Sequence, residues 1–311
     1  LGGKKLKIIY LGTPDFAVKP LKAIVENGFD VVAVISQSDK PVGRKREIKP
    51  TPVKEYALSQ GIKVLQFEKI REHAEEIKSL NADIMVTCAY GQILSQEIID
   101  ITKYGIYNIH ASLLPLYRGA SPITSAILNG DKQTGVTIMK TEAGVDSGDI
   151  VEVEKTDILE NETCGQLFER LSEIGANLIV KVLPKIENGV ATFTKQDNEK
   201  ATFCKMIKKQ DALIDWNLPA ENILRMVRAY NPSPIAYTYF NGKMLKIYSA
   251  EISQEQGVAG TVLKSDKSGF IVACGKNSLS LKEVQAEGGK KMPYSDFVLG
   301  RKVIAGDCAE L

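Results

Sequence analysis

Lys7-Ile8-Ile9-Tyr10-Leu11-Gly12-Thr13-Pro14-Asp15-Phe16 is an apolar run cut by a glycine and a proline. The run is short and carries β-prone residues, so 7–11 reads as a buried strand and 12–15 as a turn. A helix follows over 16–26. Asp30-Val31-Val32-Ala33-Val34-Ile35 supplies the next strand, over 30–35. Helices near 53–60 and 73–80 and a strand at 83–87 continue the alternation. Strand, helix, strand in repetition predicts an α/β fold: a Rossmann-like, mainly parallel sheet with helices on both faces. Such sheets take ligands at the carboxyl ends of their strands. Gly12, the turn Ala89-Tyr90-Gly91 and the segment 108–110 all fall there.

Tyr107-Asn108-Ile109-His110-Ala111-Ser112-Leu113-Leu114-Pro115-Leu116-Tyr117-Arg118-Gly119 holds one of the two histidines of the chain. β-Prone Ile106, Tyr107 and Ile109 mark a strand end. Side chains two apart on a strand share a face, so Asn108 and His110 project together. An amide donor beside an imidazole, which exchanges protons near neutral pH, suits the binding and protonation of a developing oxyanion. On these residues alone, a strand end with a capping Asn and a surface His stays open.

The 311 residues suffice for two cores. Their 44% hydrophobic and 25% charged content is that of an ordinary globular chain, and the net charge is only +2, so a nucleic-acid partner must be read from local charge. Cys88, Cys164, Cys204, Cys274 and Cys308 are scattered, never as Cys-x-x-Cys. Reduced thiols, no metal site and a cytoplasmic location are therefore expected. No run reaches the roughly 18 apolar residues of a membrane span, and no signal-peptide core is seen, so no membrane partner is expected.

Residues 163–181 read as a helix, with Leu167, Leu171, Ile174 and Leu178 on one stripe. Over 190–204 the sequence turns polar and aperiodic, the expected linker. Beyond a helix at 218–230, short β-prone runs at 236–240, 245–250, 260–263, 270–273 and 278–284 suggest a small β-barrel, with an OB-like fold among the candidates. The expected division is 1–189, 190–204 and 205–311. Trp216 reads as a core anchor, and His73, in a polar helical stretch, as a surface residue.

Three clusters carry chemistry or exclude it. Gly12-Thr13-Pro14-Asp15-Phe16-Ala17 offers one glycine where a dinucleotide fingerprint needs three, which argues against a nicotinamide enzyme. Gly144-Val145-Asp146-Ser147-Gly148-Asp149 is an acid-bearing glycine loop; such loops are often plain turns. Its functional reading pairs Asp146 with His110, where a carboxylate orients the ring and fixes its tautomer. With Asn108 the set could handle protons without a nucleophilic Ser or Cys, which suits direct attack by an amine on an acyl carbon. The segment 36–49 sets Lys40, Arg44, Lys45, Arg46 and Lys49 against Asp39 and Glu47. By default that is a solvated face, yet its place at the sheet's ligand edge suits a polyanion. From Lys205 onward fifteen basic residues outnumber eleven acidic ones, including Lys208-Lys209 and Lys290-Lys291.

Together the residues resemble a known family along nearly the whole chain: the methionyl-tRNA formyltransferases. The likeness rests on Leu11-Gly12-Thr13-Pro14-Asp15-Phe16, Pro41-Val42-Gly43-Arg44, Ala89-Tyr90-Gly91, Asn108-Ile109-His110, Ser112-Leu113-Leu114-Pro115, Tyr117-Arg118-Gly119, Gly135-Val136-Thr137 and Asp146-Ser147-Gly148-Asp149. It continues through Ile214-Asp215-Trp216, Arg228-Ala229-Tyr230-Asn231-Pro232 and Gly289-Lys290-Lys291-Met292. The Asn-x-His and Ser-Leu-Leu-Pro motifs are shared more widely among folate-dependent formyltransferases.

The resemblance implies formyl transfer from 10-formyltetrahydrofolate to the methionine amine of initiator Met-tRNA, for translation initiation. It implies Asn108, His110 and Asp146 as the catalytic set. Folate contacts fall to Ala89, Tyr90, Gly91, Gln92 and Ile93 and to Ser112, Leu113, Leu114 and Pro115. For tRNA it points to the loop with Lys40, Arg44, Lys45 and Arg46, and to Lys208, Lys209, Lys290 and Lys291 on the OB-like domain. A monomer without metal is expected. Ala111 stands where glycine is common, Leu116 where a basic residue is common, and Met206 where lysine is frequent, so particular tRNA contacts differ. A formyltransferase acting on a small amine, a formyl-folate hydrolase and a noncatalytic tRNA-binding module are the competing readings.

Overall fold

β1 (Lys7–Gly12) is buried along nearly its whole length and lies inside a seven-stranded sheet. The computed structural model describes residues 5–42, 47–300 and 302–310. They divide into two compact units: Leu1–Pro122 with Gln133–Asp157 and Phe168–Cys204, and Ile123–Lys132 with Ile158–Leu167 and Lys205–Leu311.

In the first unit the sheet is built from β1, β2 (Asp30–Ser36), β5 (Val64–Gln66), β6 (Ile84–Cys88), β7 (Ile106–His110), β9 (Gln133–Lys140) and β10 (Ile150–Asp157), in spatial order β10-β9-β7-β6-β1-β2-β5. From β5 to β7 the neighbours are parallel, and β9 and β10 add antiparallel. Outside this sheet, β3 (Lys40–Val42) and β4 (Glu47–Lys49) pair as a hairpin, and β8 (Arg118–Gly119) pairs with β11 (Phe203–Cys204). Helices α1 (Val18–Glu26), α2 (Pro52–Ser59), α3 (Ala74–Lys78) and α4 (Gln96–Ile99) fill the crossovers.

The predicted alternation is thus present, with differences that have physical causes. The basic segment 36–49, read as a loop, contains the two strands of the β3–β4 hairpin; Arg44, Lys45 and Arg46 lie outside the described residues. β10 alternates apolar and charged residues on an edge strand, too polar to show as a core run. His73 is not inside a helix. It precedes α3 and stacks on Phe67, ring centroids 4.2 Å apart.

Gly12 earns its place by packing. A Cβ there would sit 2.8 Å from Ala17 Cβ and from Tyr10 Cε1, so the turn after β1 closes only on glycine. The long helix α6 (Cys164–Glu187), which follows the short α5 (Pro122–Asn129), presses on β7 in the same way: a Cβ on Gly175 would lie 2.8 Å from Ile109 Cγ2. Ile109 therefore faces α6, and Asn108 and His110 leave β7 on the other side. Residues 190–204, the expected linker, pack in the first unit, where Ile150 and Thr194 exchange backbone hydrogen bonds of 2.8 and 2.9 Å.

The second unit is a curled antiparallel sheet. Its strands β12 (Ala236–Phe240), β13 (Lys243–Ser253), β14 (Val262–Asp266), β15 (Gly269–Ala273), β16 (Ser278–Ala286), β17 (Met292–Pro293) and β18 (Ala309–Glu310) run in the order β14-β15-β16-β13-β12-β18, with β17 on β16. Ala309 N donates to Gly260 O and Val262 N to Asp307 O, at 2.9 and 2.8 Å, so the two edges of the curl meet as a barrel requires. α7 (Ala220–Ala229) packs on the sheet, and α8 (Tyr294–Leu299) places Phe297 against Phe270, centroids 5.5 Å apart. Trp216 is buried as predicted, its Nε1–H donating to Thr238 Oγ1 at 2.9 Å.

Candidate active site

Parallel register sets the first row of the site. Leu11 pairs with Thr87 and Thr87 with Asn108, so the carboxyl ends of β1, β6 and β7 stop level with one another. After β6 the chain turns through Ala89 (φ 46°) and Gly91 (φ 84°), and Tyr90 O accepts from Thr13 Oγ1 and from Gln37 Nε2, both at 2.9 Å. Gln92 locks the next residues from below: its Oε1 accepts from Ile70 N and its Nε2 donates to Phe67 O, each at 2.9 Å. That leaves Ile93 90% exposed, an apolar side chain held out by ordered backbone.

After β7 the chain folds back on itself. Thr137 Oγ1 donates to Ser112 O at 2.7 Å and accepts from Leu114 N at 3.2 Å, while Ser112 Oγ donates to Leu116 O at 2.6 Å. Ser112 and Leu114 are buried by these bonds, and Leu113 and Pro115 are half-buried. The Ser-Leu-Leu-Pro turn is therefore rigid before any ligand arrives.

Asn108, His110 and Asp146 meet. Asn108 Nδ2 donates to Asp146 Oδ1 at 3.3 Å, Gly119 N donates to Oδ2 at 2.8 Å, and His110 Nδ1 lies 3.6 Å from Oδ2. The carboxylate and imidazole side chains are only 17% and 7% exposed, so the charge sits in a largely water-excluded place. On its other edge His110 Nε2 is 2.9 Å from Tyr117 O. A carbonyl only accepts, so Nε2 carries the proton in this arrangement, and Nδ1 is the nitrogen free to exchange one beside the carboxylate.

The backbone that builds this is unusual. Tyr117 and Asp146 take positive φ of 59° and 47°, and Gly119 of 112°; a Cβ on Gly119 would run into Cys204 O. Non-glycine residues in that region persist where the surroundings over-determine them, and they cluster at functional sites. Cys88, the thiol at the end of β6, is no nucleophile: burial pushes it up to about 12, so it is a neutral thiol at physiological pH.

Of the residues expected to meet tRNA, Lys40 is exposed, its Nζ donating to Gln37 Oε1 at 3.2 Å. At the base of its hairpin, Lys54 and then Gln66 hold the Asp39 carboxyl below its ordinary value. In the second unit Lys208, Lys209, Lys290 and Lys291 are exposed, and Lys291 pairs with Glu283 at 2.8 Å. No group of His, Cys, Asp and Glu among the described residues is arranged to hold a metal.

Sequence reading missed Gly119 N, Tyr117 O and Gln196. The first two are backbone groups that come into use only through a left-handed turn; the third reaches Asp146 from fifty positions away. The motif Tyr117-Arg118-Gly119 signals the turn, whereas nothing local marks Gln196.

Residues 4–183 match the family model described as formyl transferase, and residues 206–302 that described as formyl transferase, C-terminal domain. Methionyl-tRNA formyltransferase of Lachnospira eligens is 46% identical over 310 residues, covering 97% of this chain and 98% of its own length. Among solved structures, an N-formyltransferase from Helicobacter canadensis, in complex with folinic acid and dTDP-3-aminofucose, aligns with a TM-score of 0.69 at 23% identity, over 89% of this chain and 99% of that one. Methionyl-tRNA formyltransferase from Clostridium thermocellum aligns with a TM-score of 0.57 at 20% identity, over 82% and 96%. At those identities the structures speak for the fold.

Proposed function

The chain belongs to the formyl transferase family, in its methionyl-tRNA formyltransferase branch, and from that premise we propose that Asn108, His110 and Asp146 carry out formyl transfer. The reaction moves a formyl group from a folate donor to the amino group of methionine on tRNA. The donor we assign is 10-formyltetrahydrofolate and the acceptor initiator Met-tRNA, in the cytoplasm, with the protein acting as a monomer. The observation that carries the reading is the convergence on one carboxylate: Asn108 Nδ2 and Gly119 N donate to Asp146, and His110 Nδ1 stands 3.6 Å away.

The donor supplies an acyl carbon already joined to a nitrogen that can leave. One C–N bond forms to the methionyl amine, one breaks to the folate nitrogen, and a proton passes from the first nitrogen to the second. Asn108, whose present bond to Asp146 is long, has an amide N–H to offer the formyl oxygen as charge builds on it. His110 Nδ1 accepts the amine proton and returns it to the departing nitrogen, with Asp146 stabilising the imidazolium that forms in between. No covalent enzyme intermediate is needed, in keeping with a neutral Cys88. The hydrogen-bonded turn at 112–115, with Leu113 and Pro115 half-buried, and the ordered backbone of 89–93, with Ile93 exposed, fit a ligand that is flat and apolar with polar edges, as a folate is. For tRNA, Lys40, Arg44, Lys45 and Arg46 are proposed to meet the acceptor end, and Lys208, Lys209, Lys290 and Lys291 the backbone.

The test is a comparison of acceptors. Purified protein with 10-formyltetrahydrofolate is given methionyl initiator tRNA, methionyl elongator tRNA or an amino sugar nucleotide. The initiator should be formylated at least about a hundredfold faster in kcat/KM, a discrimination of about 3 kcal/mol. Equal or faster use of the sugar amine would replace the acceptor, and steady formate release without any acceptor would make the protein a hydrolase.

A further inference from the structure

Arg118 is 4% exposed, and its guanidinium is held by side-chain amides. Nε and Nη2 donate to Gln196 Oε1 at 3.0 and 2.8 Å, and Nη2 also donates to Asn198 Oδ1 at 2.8 Å. Gln196 is used at both ends. With its oxygen committed to Arg118, its Nε2 donates to Asp146 O and to Gly148 O, each at 2.8 Å. Guanidinium only donates and carbonyls only accept, so the amide has one orientation that satisfies all four partners.

The two carbonyls belong to the loop that presents the catalytic carboxylate. Asp146 sits at φ 47°, and a Cβ on Gly148 would collide with Lys140 O, so the loop turns back tightly against β9 in a conformation its own residues do not favour. Gln196 spans the two ends of that turn. Its own segment is anchored next to Gly119, the other donor to Asp146: Arg118 N donates to Thr202 O at 2.9 Å and Tyr117 N to Thr202 Oγ1 at 2.8 Å. Arg118, Gln196 and Thr202 therefore bracket Asp146 between the turn that supplies Gly119 N and the loop that carries the carboxylate.

We infer that Gln196 is a positioning residue for formyl transfer, acting through Asp146, with Arg118 setting the plane of its amide. The inference rests on the catalytic assignment of Asp146 made above. Gln196 touches no reacting atom. Its part is to hold Asp146 where the carboxylate meets Gly119 N and His110 together, and the polar segment 190–204 becomes part of the machinery instead of a passive connection.

Two substitutions separate the functions of the amide. Gln196→Ala removes it, whereas Gln196→Glu keeps an acceptor for Arg118 and loses both N–H donations to the loop. Each is expected to lower kcat about 30-fold, the scale of two hydrogen bonds, with KM for the folate and for tRNA within about threefold of wild type. In an Asp146→Asn background, adding Gln196→Ala should cost less than about threefold more, because both act on one group. Should Gln196→Ala fold poorly, Gln196→Glu decides alone. Wild-type kcat in Gln196→Glu, or a Gln196→Ala loss that multiplies in full with that of Asp146→Asn, overturns the positioning role. Near-normal turnover in Asp146→Asn by itself overturns the catalytic assignment instead, so the two failures are told apart.

Discussion

Asp146→Asn should lower kcat by about a thousandfold, within the range that proton handling and charge stabilisation contribute. The carboxylate accepts from Asn108 Nδ2 and Gly119 N at once, with His110 Nδ1 close by. An Asn in its place has one acceptor and one donor, so one of the two N–H groups loses its partner and the negative charge that steadies the imidazole is gone. The fold should survive, because Asp146 lies on a loop and the substitution keeps volume and shape; the thermal midpoint should move by only a few degrees. Steady-state kinetics beside a thermal melt check both halves. Turnover within about threefold of wild type would remove Asp146 from the mechanism.

Replacing Arg44, Lys45 and Arg46 together by Gln should raise KM for tRNA by about 10- to 100-fold and leave KM for the folate unchanged. The three charges equal the whole positive excess of 36–49, where five basic residues face two acidic ones. In the sequence they fall between the hairpin strands β3 and β4. Removing a cation that neutralises a phosphate also flattens the salt dependence of binding, so the slope of log K against log salt should fall by about 2 to 3. The measurement is kcat/KM for tRNA across a salt series, with the folate titrated separately. An equal loss on the folate side would mean that these residues support the fold and do not dock RNA.

Much of the first unit was legible because its signals are local. An apolar run such as Ile8 to Leu11 has few alternatives to a buried strand, and the two-residue spacing of Asn108 and His110 places both on one side of β7. The curled second sheet was legible as a count of short strands, though the tie between residues 260–262 and 306–309 that joins its edges has no local mark. Short or polar elements escaped: β5 has three residues, α5 begins at a proline just after the glycine turn, and β10 carries charges on its edge. Pro184 hid the last turns of α6, which run on to Glu187 past the end expected at 181.

The site divides along the same line. Side chains with distinctive chemistry announced themselves, and the pairing of Asp146 with His110 is a contact of 3.6 Å. What the sequence hid is how that pairing is held. Gly119 N depends on a glycine at φ 112°, and the Arg118–Gln196 bracket joins residues 78 apart. No periodicity reports an interaction of that range.

As proposed, this site moves a formyl group from folate nitrogen to methionyl nitrogen through Asn108, His110 and Asp146. The most direct measurement is a single turnover with an isotope-labelled formyl group on 10-formyltetrahydrofolate, excess enzyme and methionyl initiator tRNA, following label onto the methionine amine by rapid quench. Wild type should place the label on that nitrogen, and His110→Ala should slow the step by at least about a hundredfold while still binding the folate. Label released as formate, or an undiminished rate in His110→Ala, would contradict it.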